Sequence, residues 1–202
     1  MLRSPFVQLI LFAIVLAWSA IAPTDRFTWW LEVLPGLIAL IVLVLTYRRF
    51  PFTPLAYGLV LAQCIILFIG GHYTYADVPW FNWLRDATGG TRNNFDKLGH
   101  FAQGFVPAVV VREVYIRLGV VQRRGWLAFI VITTCLAISA AYEFVEWGVS
   151  VATGEGGDAF LGTQGYVWDT QSDMLMAVFG ATAFLLTLSR THDRQLARIQ
   201  KG

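Results

Sequence analysis

Six long apolar runs constrain what this chain can form more than any other feature of its sequence. Each run is close to the 17–25 residues that a helix needs to cross a bilayer core of about 30 Å. The 202-residue chain is 56% hydrophobic and 14% charged, well below the roughly 25% charged residues of globular proteins. The sequence therefore predicts an all-α fold, a polytopic membrane helix bundle with about six transmembrane helices in a single integral membrane domain, residues 1–202. The predicted spans are residues 5–22, 29–47, 54–72, 96–118, 126–150 and 169–189.

Lysine and arginine are distributed unequally between the two ends of the predicted bundle. Ten of them lie beside the ends of the runs on the side of both termini, and four lie on the opposite side. Because cytoplasmic loops are enriched in Lys and Arg, we predict that both termini are cytoplasmic. Segments 73–95 and 151–168 are then external.

Composition also limits the classes of partner. The chain has no basic stripe interleaved with aromatic residues, so we expect membrane lipid and no nucleic acid as its partner. Cys64 and Cys135 both lie in apolar runs and match no metal-binding or redox motif. We interpret them as small buried apolar residues.

Ionisable residues occur in pairs at the outer ends of the last three predicted spans. Within each pair the residues are three or four positions apart, so they share one face of a helix. The predicted topology brings all three pairs to the same depth. The pairs are Asp96 with His100, Glu143 with Glu146, and Asp169 with Asp173.

Such a cluster needs a reason, because a carboxylate facing lipid costs about 2.5–3.5 kcal/mol on insertion scales. Carboxylates with one imidazole suit a divalent metal ion, so all six paired residues are predicted metal ligands, the identity of the ion being open. Two structural alternatives stay open. Asp96 and Asp169 lie where helix N-caps occur, and Lys97 and Arg112 could pair with Glu143 or Glu113.

The chemistry of the cluster is constrained by the motifs that the sequence lacks. The chain contains neither a GxSxG nor an HExxH motif, which argues against serine hydrolases and zincin proteases. We expect a metal-activated water or a carboxylate/histidine acid–base pair to carry out the reaction. The candidate catalytic residues are His100, Glu143 and Glu146. The outward position favours a lipid or glycolipid of the cell envelope as substrate. A cation- or proton-coupled transporter and a non-catalytic envelope scaffold are the alternatives, so enzyme activity stays open.

Several segments resemble a known family. FDKLGHFAQGF at 95–105, YEFVEW at 142–147 and the block GEGGDAFLGTQGYVWDTQSDM at 154–174 are similar to the YjdF-type family of bacterial inner-membrane proteins. Tyr166 stands where that pattern favours an acidic residue. The DKxxHF stretch at 96–101 is also similar to VanZ-like membrane proteins, although Ala177 replaces an expected Asn. The resemblance implies a multi-pass protein of the bacterial inner membrane and supplies no reaction or substrate.

Overall fold

The chain folds into α-helices, and the part that the structure describes contains no strand. This computed structural model describes residues 5–154, 160 and 162–200. The predicted all-α class is therefore confirmed. The helices are α1 (Pro5–Ser19), α2 (Arg26–Thr46), α3 (Pro54–Tyr73), α4 (Pro79–Thr88), α5 (Phe95–Arg117), α6 (Arg124–Thr153), α7 (Asp169–Thr187) and α8 (Ser189–Ile199).

Three of these helices are long and apolar enough to cross a membrane, namely α2, α3 and α6. The pair α7 and α8 adds a fourth if it is counted as one broken span, although its axis bends by 65°. The helix α1 is apolar but short, and α5 carries charged residues at both ends. About six spans therefore stays a prediction, while the predicted runs coincide closely with α1, α2, α3, α5, α6 and α7.

The outer surface of α2 has the character expected of a lipid-facing helix. Leu34, Ile38, Ile41 and Leu45 are all about half exposed or more, and their spacing of three or four residues puts them on one face. Such a stripe would be a large exposed apolar patch on a soluble protein.

The helix α5 lies at the centre of the bundle, where it packs against α3, α6 and, most extensively, α7. The approach of α5 to α7 depends on glycine. A Cβ atom at Gly104 would fall on the backbone carbonyl of Ala177, and one at Gly180 would fall on the carbonyl of Phe101. The two backbones are thus in direct contact, which brings the polar outer ends of α5 and α7 together.

The segment between α3 and α5, which the sequence predicts to be external, contains helical structure. It contains a 3-10 turn (Tyr75–Asp77) and α4, which begins with Pro79 and ends at Gly89 in the left-handed region, φ 68°. Asn93 fixes this segment by donating to the backbone oxygen of Val78 at 3.0 Å and to Asn82 at 2.8 Å. The ring of Tyr75 packs onto Gly70 and Gly99, so the segment closes the outer end of the bundle.

Candidate functional site

All six sequence-predicted site residues are buried at one end of the bundle, with exposed fractions between 3% and 7%. They come from α5, α6 and α7 and form one connected cluster. Asp96 and His100 project from the first two turns of α5, and Asp169 and Asp173 do the same from α7. Glu143 and Glu146 approach from the later turns of α6.

His100 is at the centre of this cluster. Its Nε2 atom lies 3.3 Å from Asp96 Oδ1 and 3.9 Å from Asp173 Oδ1. Its Nδ1 atom lies 3.0 Å from Gln103 Oε1 and 3.8 Å from Glu143 Oε1. The imidazole therefore lies within 4 Å of acidic side chains from all three helices.

Two cations neutralise one half of the site, and one of them, Arg92, was not considered from sequence. Lys97 Nζ lies 2.6 Å from both Asp169 Oδ1 and Asp173 Oδ1. Arg92 pairs with Asp96 at 2.9 Å and with Asp169 at 2.7 Å. Lys97 thus pairs with the aspartates of α7, in place of the Glu143 partner that we considered from sequence.

The other half of the site lacks such neutralisation. No lysine or arginine of the described chain forms an ion pair with Glu143 or Glu146. One oxygen of Glu143, Oε1, is buried without a hydrogen-bond partner in the described structure. Because an unsatisfied buried acceptor is costly, this oxygen is a natural place for a cation or a donor from a ligand.

Two groups within the cluster have the spacing of a metal site. In each of them one ligand atom per residue lies within 4.8 Å of the others. The first is Asp96, His100 and Asp173, and the second is His100, Glu143 and Glu146. In the first group Lys97 already contacts the carboxylate of Asp173, so an incoming cation would compete with an ammonium. In the second group no lysine or arginine of the described residues contacts the carboxylates, and an incoming ion would displace Gln103 Oε1, which lies 3.0 Å from His100 Nδ1.

A cavity of about 350 Å³ opens beside the cluster between α2, α3, α5 and α6. Its outer end is lined by polar side chains, including Glu32, Tyr75, Asp96, His100 and Glu146. Further along α5 its wall becomes apolar, with Val106 and Val110 facing Ala39 of α2 and Ile138 of α6. Binding cavities for small molecules have volumes of this order, and this one is polar at one end and apolar along its length.

The segment after α6 contributes to the outer boundary of the site in its described part. Arg92 donates to the backbone oxygens of Thr163 at 2.8 Å and Gly162 at 3.2 Å. The Tyr166 ring lies beside Arg92 and Lys97, at 5.7 and 5.8 Å. Phe160 lines the cavity. Residues 155–159 and 161 of the predicted external segment 151–168 lie outside the described residues.

The structural alternatives from sequence have different outcomes. Asp96 and Asp169 do not cap their helices, because the N-cap positions are Asn94 and Trp168. Arg112 pairs with Asp193 of α8 at 2.7 Å and not with Glu113.

Glu32, which lies on α2, lines the cavity. Arg92 lies in the segment before α5, which begins at Phe95, so helix periodicity could not have placed it in the site.

Comparisons with known proteins fit this arrangement. The family model described as "Predicted membrane protein (DUF2238)" matches residues 5–194. The chain is also 48% identical over 185 residues to a protein named "Inner membrane protein YjdF" from Escherichia coli (strain K12), covering 92% of this chain and 88% of that relative. The predicted inner-membrane location agrees with that name, whereas the partial VanZ-like similarity stays a prediction.

No solved structure matches the chain. The family match covers every helix that contributes to the cluster, and the relative covers nearly the same length. The chain therefore belongs to the DUF2238 family of predicted membrane proteins, which includes the YjdF-type proteins that its sequence resembles.

Proposed function

We propose that this protein binds a divalent cation in its outer cluster and acts on the headgroup of an envelope lipid or glycolipid, by hydrolysis or a related modification. The observation that carries the proposal is the position of His100, Glu143 and Glu146. They combine a metal-compatible spacing with a cavity whose acidic side chains lie only at their end.

The donor set suits a cation. Glu143 and Glu146 offer carboxylate oxygens that no lysine or arginine of the described chain neutralises. His100 turns Nε2 towards Asp96, and its Nδ1, which lies 3.8 Å from Glu143 Oε1, would bind the ion after releasing its contact with Gln103 Oε1 at 3.0 Å. A metal-binding histidine usually donates its other N–H to a carboxylate, which fixes the ring and its tautomer. Asp96 would serve in that way, as a positioning residue rather than a ligand.

The two halves of the cluster then have different roles. Asp169 and Asp173 hold Lys97, and Arg92 joins Asp96 to Asp169, so these residues fix α5 against α7. The proposed metal ligands are therefore three of the six predicted residues, namely His100, Glu143 and Glu146. A bound divalent ion would polarise a phosphoryl or carbonyl oxygen and lower the pKa of a bound water.

The shape of the cavity supports a lipid as the substrate. From Asp96 to Val111 it follows α5 for about 22 Å, at a rise of about 1.5 Å per residue. A lipid of the outer leaflet would enter with its headgroup at the cluster and its chain along Val106 and Val110. That is the orientation it already has in the bilayer.

A cation- or proton-coupled transporter is the second candidate, because the same cavity extends well below the cluster and includes Gln63, whose Oε1 is buried without a partner. The inner end argues against a continuous path. There Glu113 is enclosed by Thr53, Arg117 and His192.

Metal binding by the purified full-length chain tests the proposal. After dialysis against Zn²⁺, Mn²⁺ or Mg²⁺, we expect about one ion per chain for the wild type by elemental analysis. The ion should be lost in Glu143→Gln and Glu146→Gln. Asp169→Asn is the matched control, because it removes an acid that pairs with Arg92 and Lys97, and it should retain the ion.

The substrate is tested separately by incubating the loaded protein with an envelope lipid extract and searching for new headgroup products by mass spectrometry. Products that disappear in His100→Ala support the enzyme. Metal binding without products, together with cation flux into proteoliposomes, would favour the transporter. An absence of bound ion with all three metals would overturn the proposal.

A further inference from the structure

We propose that α8 is a fixed helix on the membrane surface and that its arginine stripe binds the headgroups of anionic phospholipids. This surface lies at the opposite end of the bundle from the carboxylate cluster. It is independent of the proposed function, since neither cation binding nor lipid modification is needed for it.

The two faces of α8 differ sharply. His192 and Leu196 are buried, at 0% and 4% exposed. Arg190, Arg194 and Arg198 are exposed, and their spacing of four residues puts them on one side of the helix. None of these three arginines forms an ion pair within the described residues.

The direction of α8 suits a position at the membrane surface. Its axis bends by 65° from that of α7, which is one of the predicted spans. An arginine in the bilayer centre costs several kcal/mol, so a helix with three unpaired arginines cannot continue the span. It lies close to the plane of the membrane, as amphipathic surface helices do.

The buried face holds α8 rigidly in this orientation. His192 Nε2 lies 3.1 Å from Glu113 Oε2, and its Nδ1 lies 3.0 Å from Arg112 Nη1. Because arginine can only donate, Nδ1 accepts, and Nε2–H donates to Glu113. Arg112 also pairs with Asp193 at 2.7 Å.

A further contact joins α8 to the start of α3. The backbone N–H of Leu55 donates to Gln195 Oε1 at 2.9 Å. The loop before α3 contains the exposed Arg48 and Arg49, which add positive charge near this end of the bundle. Clusters of basic residues next to a span are attracted to anionic lipids. The helix α8 is already held in place by its contacts, so lipid binding to its arginines does not require the helix to become ordered first. The residues that hold it are His192, Asp193, Gln195 and Leu196.

The test measures lipid preference in the full-length chain. Protein in detergent is titrated with dioctanoyl phosphatidylglycerol or dioctanoyl phosphatidylcholine, and binding is followed by native mass spectrometry. We expect the wild type to prefer the anionic lipid at least about tenfold, as several arginines near an anionic surface imply. The preference should fall as the salt concentration rises.

The triple variant Arg190→Gln, Arg194→Gln, Arg198→Gln should lose most of this preference. The matched triple Lys variant keeps the charge and should retain it, which separates charge from helix stability. If the triple Gln variant does not fold, the single variant Arg194→Gln is measured instead. Its preference for the anionic lipid should be a few fold weaker than that of the wild type. Equal binding of the two lipids by the wild type, or an unchanged preference in the foldable Gln variant, would overturn the inference.

Discussion

Glu113 on α5 and Glu143 on α6 are both buried carboxylates, yet their surroundings differ. Glu113 accepts hydrogen bonds from Thr53 N at 3.0 Å and Thr53 Oγ1 at 2.8 Å. Arg117 and His192 approach it at 3.0 and 3.1 Å. Glu143 has an oxygen without a hydrogen-bond partner in the described structure. The first carboxylate is satisfied by the fold, whereas the second is available to a ligand.

The same substitution at these two positions should therefore have different effects on stability. In Glu113→Gln the amide NH₂ would face the Thr53 donors, and the charge that Arg117 requires would be gone. Hydrogen bonds to charged groups contribute about 1.5–3 kcal/mol, so we expect a loss of about 2 kcal/mol in the free energy of unfolding. The measurement is reversible unfolding in mixed micelles.

Glu143→Gln is the matched control. It removes a buried charge that has no lysine or arginine partner among the described residues, so the free energy of unfolding should stay within about 1 kcal/mol of the wild type. Equal losses for both variants would contradict the distinction between a structural and a ligand-binding carboxylate.

The pair of helices α5 and α7 carries much of the outer site, because Asp96, Lys97 and His100 face Asp169 and Asp173 across it. The helix periodicity predicted which residues share a face. It did not predict which cation pairs with which acid, since that depends on how closely two helices approach. Glycine at 104 and 180 sets that approach.

Gly104→Ala should disturb this helix pair. The added Cβ would collide with the backbone carbonyl of Ala177, which cannot move aside as a flexible side chain can. We expect a loss of about 3 kcal/mol or more in the free energy of unfolding, measured by thermal or denaturant unfolding in detergent.

Gly148→Ala on α6 is the control, since a Cβ there meets nothing within 4 Å. Alanine has the higher helix propensity, by about 1 kcal/mol, so this variant should be as stable as the wild type or more so. If Gly104→Ala had the same free energy of unfolding as Gly148→Ala, the conclusion that the backbones of α5 and α7 are in close contact would be wrong.

Two helices show where sequence patterns were insufficient at this scale. The helix α4 has ten residues, too short for the apolar runs that identified the spans, although Pro79 and Gly89 are typical boundary residues. The helix α8 lies beyond the last predicted span, so the apolar runs did not identify it. The burial of His192 against Glu113 was not predictable, because the two residues are 79 positions apart and meet only after α7 turns.

Across the whole molecule, polar residues form two layers at opposite ends of α5, separated by the apolar stretch 104–111. The outer layer is the carboxylate–histidine cluster, and the inner layer surrounds Glu113. The charged residues of α5 lower its hydropathy, and α5 is not among the helices that length and composition identify as membrane spans. The surrounding helices shield most of those charges from lipid, since Asp96, Arg112 and Glu113 are all buried. Composition alone cannot detect this shielding, because it depends on neighbours in space.

If α5 crosses the membrane, the loops at its two ends lie on opposite sides. Thr88→Cys at the end of α4 and Gln122→Cys between α5 and α6 place single thiols at exposed positions. The native Cys64 and Cys135 are buried and should stay unreactive. In spheroplasts, a membrane-impermeant maleimide should label Thr88→Cys at once and Gln122→Cys only after permeabilisation. Thr191→Cys on α8 should behave like Gln122→Cys, because α6 and α7 together return the chain to the same side. Labelling of the first two thiols from one side would mean that α5 does not span, and the outer and inner polar layers would then have to be reassigned.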